Sequence, residues 1–249
     1  MKTILITGCS SGFGLETAQY FLERDWKVIA TMRTPREDVL PRSDSLRVLA
    51  LDVTDPESIR RGVEAAGPID ALINNAGIGW LNALEGTPIS VAREVFETNT
   101  LGTMAVTQAF LPQFRQRKAG VIVNVTSSVT LRSLPLLSVY TASKAAVNAF
   151  TESIALELEP FNVRVRLVLP GRSPETRFGD NARSRMKDGF PEAYASFAQS
   201  IMARMQTPAP TALTRSIDVA EAVWRAVDDP SCPIRIPAGA DAVAWANAK

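Results

Sequence analysis

Residues 3–14 read TILITGCSSGFG, and the reading of this stretch decides the fold. The first five residues are β-branched or aliphatic, a short apolar run of strand length. They lead directly into a turn of small residues with glycine at positions 8, 12 and 14. Beyond it Leu15, Ala18 and Leu22 recur at helical spacing. A strand that turns through glycines into a helix lets the backbone approach a pyrophosphate closely. The helix N-terminus adds free N–H groups and positive dipole charge. The spacing is G-x-x-x-G-x-G rather than G-x-G-x-x-G, and glycines in a strand–helix turn are weak evidence alone, because many such turns need φ > 0. Position strengthens the reading, since the turn follows the first strand and opens the first helix. Gly8, Ser10, Ser11, Gly12, Phe13 and Gly14 are therefore expected to hold a dinucleotide. Cys9 reads as a small filler, because no base lies near it in sequence.

Outward from this unit, short apolar runs alternate with helix-length amphipathic stretches. Further strands are expected at 27–31, 46–51, 71–74, 120–126 and 163–169, with a weak one at 234–236. Pro56 follows Thr54 and Asp55 as a first helical position after a capping residue. Longer helices are expected at about 91–114, 138–157 and 217–227. Residues 121–125, VIVNV, are nearly continuous in apolar character, as suits a strand covered on both faces. The alternation argues an α/β, doubly wound, mostly parallel sheet with helices on both faces. One domain spanning 1–249 is expected, with an excursion at about 172–216 that is polar, contains proline and carries Phe178, Met186, Phe190, Tyr194, Phe197, Met202 and Met205. At the tip of the second strand stands Arg33, with Arg36 nearby and no carboxylate. A carboxylate there would bond a ribose 2′-hydroxyl, whereas an arginine suits a 2′-phosphate, so NADP(H) is preferred over NAD(H).

Composition narrows the classes. Charge is balanced at +1, with 27 basic and 26 acidic residues, so neither nucleic acid nor an anionic membrane surface is an expected partner. Two cysteines imply no disulfide framework. The apolar run before Cys9 is too short for an export signal, and no run approaches the ~20 residues of a membrane span, so a cytoplasmic protein is expected. Histidine is absent. That excludes a Ser-His-Asp hydrolase and a His-ligated zinc site, and no metal is expected. Any general acid must be Tyr, Lys, Cys or a carboxyl group.

Tyr140 and Lys144 lie four apart at the start of a helical stretch and so share a face. An ammonium about one turn from a phenol should lower its pKa. Ser127, just beyond the fifth strand, is placed to bond a substrate carbonyl. A Tyr-x-x-x-Lys pair is common on helix surfaces, so the set carries the argument. TGCSSGFG (7–14), LDV (51–53), NNAG (74–77), Asn99, Ser127, YTASK (140–144) and Pro170-Gly171 occur in the order and spacing of the short-chain dehydrogenase/reductase family, which this chain resembles over residues 2 to about 171.

The resemblance implies a Rossmann-like sheet of seven strands in the order 3-2-1-4-5-6-7, and direct hydride transfer between a nicotinamide and a carbonyl/alcohol pair. Tyr140 would be the general acid/base and Ser127 would position the oxygen. Lys144 would bind the nicotinamide ribose, and Asn99 would anchor a water in a proton relay. Asp52 and Val53 would touch adenine. Asn75, Ala76 and Gly77 would line the adenosine ribose, with Asn74 structural. Pro170, Gly171 and Thr176 would close over the carboxamide. Two departures stand out. Thr176 comes one place later than the family pattern, and Phe13 replaces the usual Ile or Leu.

Substrate choice is expected from 172–210 and from the loop 78–82 with Trp80. The aromatic and methionine side chains there either line an apolar pocket or pack the excursion onto the sheet. Residues 234–242 read as the last strand and its exit turn. Packing through the long helices, as a homodimer or homotetramer, is implied by the family. The competing class is a dinucleotide-sensing or regulatory protein without turnover. Such a protein would be expected to have lost Tyr140, Lys144 or Ser127, and all three are present.

Overall fold

The computed structural model describes residues 1–186, 189–206 and 212–248. The elements run β1 (Thr3–Thr7), α1 (Gly12–Leu22), β2 (Lys27–Met32), β3 (Leu46–Ala50), α2 (Pro56–Ala66), β4 (Ala71–Asn74) and α3 (Ile89–Phe96). After a π-helical turn at Glu97–Leu101 come α4 (Gly102–Arg117), β5 (Gly120–Val125), α5 (Ser138–Leu158) and β6 (Val163–Pro170). The excursion carries α6 (Phe178–Ser184) and α7 (Ala195–Gln206). The chain ends with α8 (Ser216–Asp228), β7 (Arg235–Ala238) and α9 (Ala240–Asn247). All seven strands pair in parallel in the order β3-β2-β1-β4-β5-β6-β7.

The sheet is buried because consecutive residues face different layers. Ile4 and Ile6 pack with Val28, Ala30, Ile73 and Val123 against α1 and α8, through Phe21 and Val223. Leu5 faces the other way, with Ile29, Leu72 and Ile122, against Phe110 and Phe114 of α4 and Ile154 of α5. Strands covered on both faces need apolar residues at every position, which is why their sequences do not alternate.

A polar ladder crosses this interior. Asn74 and Asn124 are partners in the β4–β5 register. Asn74 Nδ2 donates to Thr107 Oγ1 at 2.9 Å and to Asn124 Oδ1 at 2.8 Å, and Asn124 Nδ2 donates to Thr151 Oγ1 at 2.8 Å. The structural role expected of Asn74 is thus met, tying both strands to α4 and α5.

Two expectations need correction. The helix expected at 91–114 is interrupted by the π turn, which side-chain periodicity does not register because it adds one residue to a turn. The segment after β7, expected as an exit turn, is the helix α9.

Candidate active site

In a parallel sheet of this kind the strand order reverses between β1 and β4, and crevices at such switch points lie beyond the C-terminal strand ends. The glycine turn follows β1, residues 74–77 end β4, Ser127 follows β5, and Pro170-Gly171 ends β6. All the motifs therefore meet at one edge of the sheet.

The glycine turn is built for close approach. Gly8 has φ +75°. A Cβ on Gly14 would run into the carbonyl oxygen of Gly8 and lie 2.5 Å from Asn75 Nδ2. Asn75 pins this turn: its Nδ2 donates to the carbonyls of Thr7 at 2.9 Å and Gly8 at 3.2 Å. Thr7 Oγ1 accepts from the N–H of Asn75 and of Ala76, both at 3.0 Å. The side chain of Asn75 is therefore committed to shaping the turn. Ser11 precedes α1 without capping it, which leaves the helix's first N–H groups free of side-chain partners. Cys9 is buried, its Sγ 3.2 Å from the carbonyl of Ile6, and burial pushes its thiol up to about 12, so it fills space as expected.

Arg33 stands exposed just past β2 with no ion pair or hydrogen bond among the described residues, whereas Arg36 pairs with Asp38 at 3.5 Å. Asp52 Oδ1 accepts from the N–H and hydroxyl of Thr54 at 2.9 and 2.8 Å. Val53 is buried against Gly102, where a Cβ would sit 2.8 Å from Val53 Cγ2. Thr176 folds back beside the glycine turn. Its side chain lies 3.5 Å from where a Cβ on Gly12 would be, and its hydroxyl donates to the carbonyl of Ser173 at 3.0 Å.

At the far end of the edge, Tyr140 and Lys144 project from the first turns of α5, and both are buried. The Ser127 hydroxyl beside the phenol pulls its pKa down, but burial dominates and pushes it up to about 12. This reverses the lowering expected from Lys144. Desolvation acts on the lysine too, bringing it down to about 8, and its Nζ donates to the carbonyl of Val125 at 3.1 Å. Burial disfavours whichever form is charged, so the two groups move in opposite directions.

Asn99 is fully buried in the π turn. Its Nδ2 donates to the carbonyl of Ile78 at 2.9 Å and to Ser143 Oγ at 3.1 Å, and its Oδ1 accepts from the N–H of Ile78 at 2.8 Å. A Cβ on Gly77 would lie 3.2 Å from Asn99 Oδ1 and 3.3 Å from Lys144 Nζ. Gly77 thus opens the space that the two side chains face, with an Oδ1 lone pair still available there.

Of the apolar side chains expected to choose substrate, most pack inward. Trp80 is buried, donates its indole N–H to Thr87 Oγ1 at 2.9 Å, and packs with Val95, Val139 and Met186. Phe190 and Tyr194 pack with Ala83, Leu136 and Ile201. Met205 falls outside the side chains described, as do residues 187–188 and 207–211 of the excursion. Phe197 on α7 is exposed, and Phe178 is the one that reaches the tyrosine among the described residues. Its ring lies 5.5 Å from that of Tyr140, centroid to centroid, and it stays 38% exposed. A Cβ on Gly79 would meet it at 2.8 Å. Sequence reasoning placed Phe178 in the excursion but not on the tyrosine, and no local signal distinguished it from its aromatic neighbours.

Comparison with known proteins shows the family. Residues 2–187 match the family model described as short chain dehydrogenase. The chain is 41% identical over 181 residues to an uncharacterized oxidoreductase of Bacillus subtilis, covering 68% of this chain and 64% of that protein. It is 39% identical over 205 residues to the 3-ketodihydrosphingosine reductase of Bacteroides thetaiotaomicron, covering 80% and 74%. A crystal structure of a short chain dehydrogenase from Burkholderia cenocepacia in complex with NADP superposes with a TM-score of 0.77 at 28% identity, covering 99% of this chain and 93% of that one. The chain belongs to the short-chain dehydrogenase family of oxidoreductases. Less than two thirds of the Bacillus relative's length is matched.

Proposed function

We propose that this protein is an NADP(H)-dependent oxidoreductase that interconverts an apolar ketone or aldehyde with its alcohol, with Tyr140 as general acid/base. The observation that carries the reading is the buried phenol of Tyr140 beside Ser127, with Lys144 one helical turn along. The glycine turn fits a dinucleotide: its Cβ-free surface and the uncapped start of α1 form the cradle a pyrophosphate needs. When bound, NADPH supplies the hydride.

This chain's own residues do the rest. Gly8, Ser10, Ser11, Gly12, Phe13 and Gly14 hold the diphosphate, largely through backbone N–H groups. Asp52, Val53, Ala76 and Gly77 flank the adenosine, with Asn75 holding the turn. Pro170, Gly171 and Thr176 close over the nicotinamide end. Ser127 orients the substrate oxygen and Tyr140 gives it a proton. A phenol with so high a pKa keeps that proton at neutral pH, as a donor in reduction must. Lys144, largely ammonium at neutral pH, stabilises charge developing on the phenol oxygen and holds the ribose hydroxyls. Asn99 Oδ1, across Gly77, anchors the relay that returns the proton. Preorganised donors aimed at a developing alkoxide in a water-poor site supply most of the acceleration.

Phe178 over Tyr140 favours an apolar substrate, and the Bacteroides relative is named as a reductase of 3-ketodihydrosphingosine. Consumption of NADPH by the purified protein with a panel of ketones, long-chain ones included, tests the activity; no consumption with any of them overturns it. For the cofactor, Arg33 is the uncommitted cation at the β2 tip among the described residues. Arg33→Ala is expected to weaken NADPH binding about tenfold or more and NADH binding hardly at all, as loss of a charge-assisted bond to a 2′-phosphate requires. Equal losses in a fluorescence titration would rule that role out. We further propose that residues 1–249 act as one domain, cytoplasmic, in a homodimer or homotetramer through α4 and α5. Leu156 of α5 and Leu101, just before α4, are exposed, and light scattering decides the state. Among the described residues no helix is long and apolar enough to cross a membrane.

A further inference from the structure

We propose that Asp241 is a positioning residue that fastens together the two ends of the 172–214 excursion and thereby holds Pro170, Gly171 and Thr176 against the cofactor cleft. The functional half of this inference rests on the reading above; the fastening itself does not.

Asp241 lies in the first turn of α9 and is 5% exposed. Its Oδ2 accepts from the backbone N–H of Arg172 at 2.7 Å, where the chain leaves β6. Its Oδ1 accepts from Thr214 Oγ1 at 2.6 Å, where the chain returns just before α8. The two ends are also bonded directly, Thr214 N–H to the Arg172 carbonyl at 3.0 Å, and Gly171 N–H reaches the Ala238 carbonyl at 3.1 Å. One carboxylate therefore joins points 42 residues apart in sequence. It makes no ion pair among the described residues. The positive end of α9 and two donors stabilise it instead.

Packing makes the set interdependent. A Cβ on Gly171 would run into Asp241 Oδ1 and Thr214 Oγ1. A Cβ on Gly239, where φ is +93°, would run into Thr214 Oγ1 as well. The glycine after Pro170 is thus required by the carboxylate packed against it, whatever it also offers a cofactor. Four residues beyond Arg172 lies Thr176, whose side chain faces the glycine turn across the space a Cβ on Gly12 would enter. An end that shifts at Arg172 moves Thr176 off that turn.

The test is amide hydrogen exchange on the full-length, cofactor-free protein, with NADPH affinity measured in parallel. Asp241→Ala is expected to speed exchange over 172–186 by about tenfold, the effect of weakening one charge-assisted bond, while β4 and β5 keep wild-type rates. NADPH affinity should fall with it. Asp241→Asn should restore both. Its oxygen can accept from Arg172 N–H and its amide can donate to Thr214, whose hydroxyl still has the Ala238 carbonyl at 3.0 Å as acceptor. Should Asp241→Ala fail to fold, Thr214→Val is read in the same way. Exchange that is unchanged at 172–186, or that rises equally through β4 and β5, overturns the proposal. None of these readouts needs turnover, so a Tyr140→Phe enzyme that still works would sink the catalytic reading and leave this one standing.

Discussion

Tyr140→Phe is expected to lower carbonyl reduction by about 10²–10⁴-fold, the range for removing a positioned general acid, while NADPH binding stays unchanged. The substitution deletes one oxygen and keeps the ring that packs on Phe178. Ser127 Oγ still accepts from the Val129 N–H at 3.3 Å, so the turn after β5 should hold. The direction of the phenol's shift adds a pH signature. Held up to about 12 by burial, Tyr140 is protonated throughout the neutral range and reduction should be flat there. Oxidation of an alcohol needs the phenolate, so its rate should climb as pH rises towards that value. Single-turnover kinetics in both directions check both points. Turnover of the phenylalanine variant within tenfold of wild type would remove Tyr140 from proton transfer.

Gly14→Ala is the other large effect. A methyl group there has no free direction: it meets the Gly8 carbonyl on one side and Asn75 Nδ2 on the other. Moving either unmakes the turn, because Asn75 holds the carbonyls of both Thr7 and Gly8. Overpacking of this kind costs about 1–3 kcal/mol of stability, visible as a lower urea midpoint. NADPH affinity should fall further, by about a hundredfold, since several N–H groups of one rigid cradle are displaced together. An affinity loss no larger than the stability loss predicts would mean that the cradle does not hold the diphosphate.

Much of this was legible in the chain. The strand at residues 3–7, the glycine turn and Leu15, Ala18 and Leu22 lie within about twenty residues of one another, so local spacing exposed them. The parallel sheet followed from repetition of that pattern, and the motif order carried the rest of the cleft edge. Boundaries moved by a residue or so: β6 ends at Pro170, and β3 stops at Ala50.

Other features could not be read locally. Trp80 looked like a pocket residue, but its indole turns inward to Thr87 and Val95, a choice made by the helix packed over it. The π turn placing Asn99 depends on the carbonyl of Ile78 and the hydroxyl of Ser143 in α5. Asp241 meets partners 69 and 27 residues away.

By itself, then, the order of residues determined the parallel sheet, the glycine cradle and the pairing of Tyr140 with Lys144 on one helix face. Each of these is set by spacing along a few turns of chain. Only the tertiary structure decided that burial outweighs the ammonium's pull on the phenol, that Phe178 rather than Trp80 covers it, and that a carboxylate near the C-terminal end secures the far side of the cleft. Desolvation and long-range hydrogen bonds depend on what the folded chain places around a group, and no local pattern carries that information.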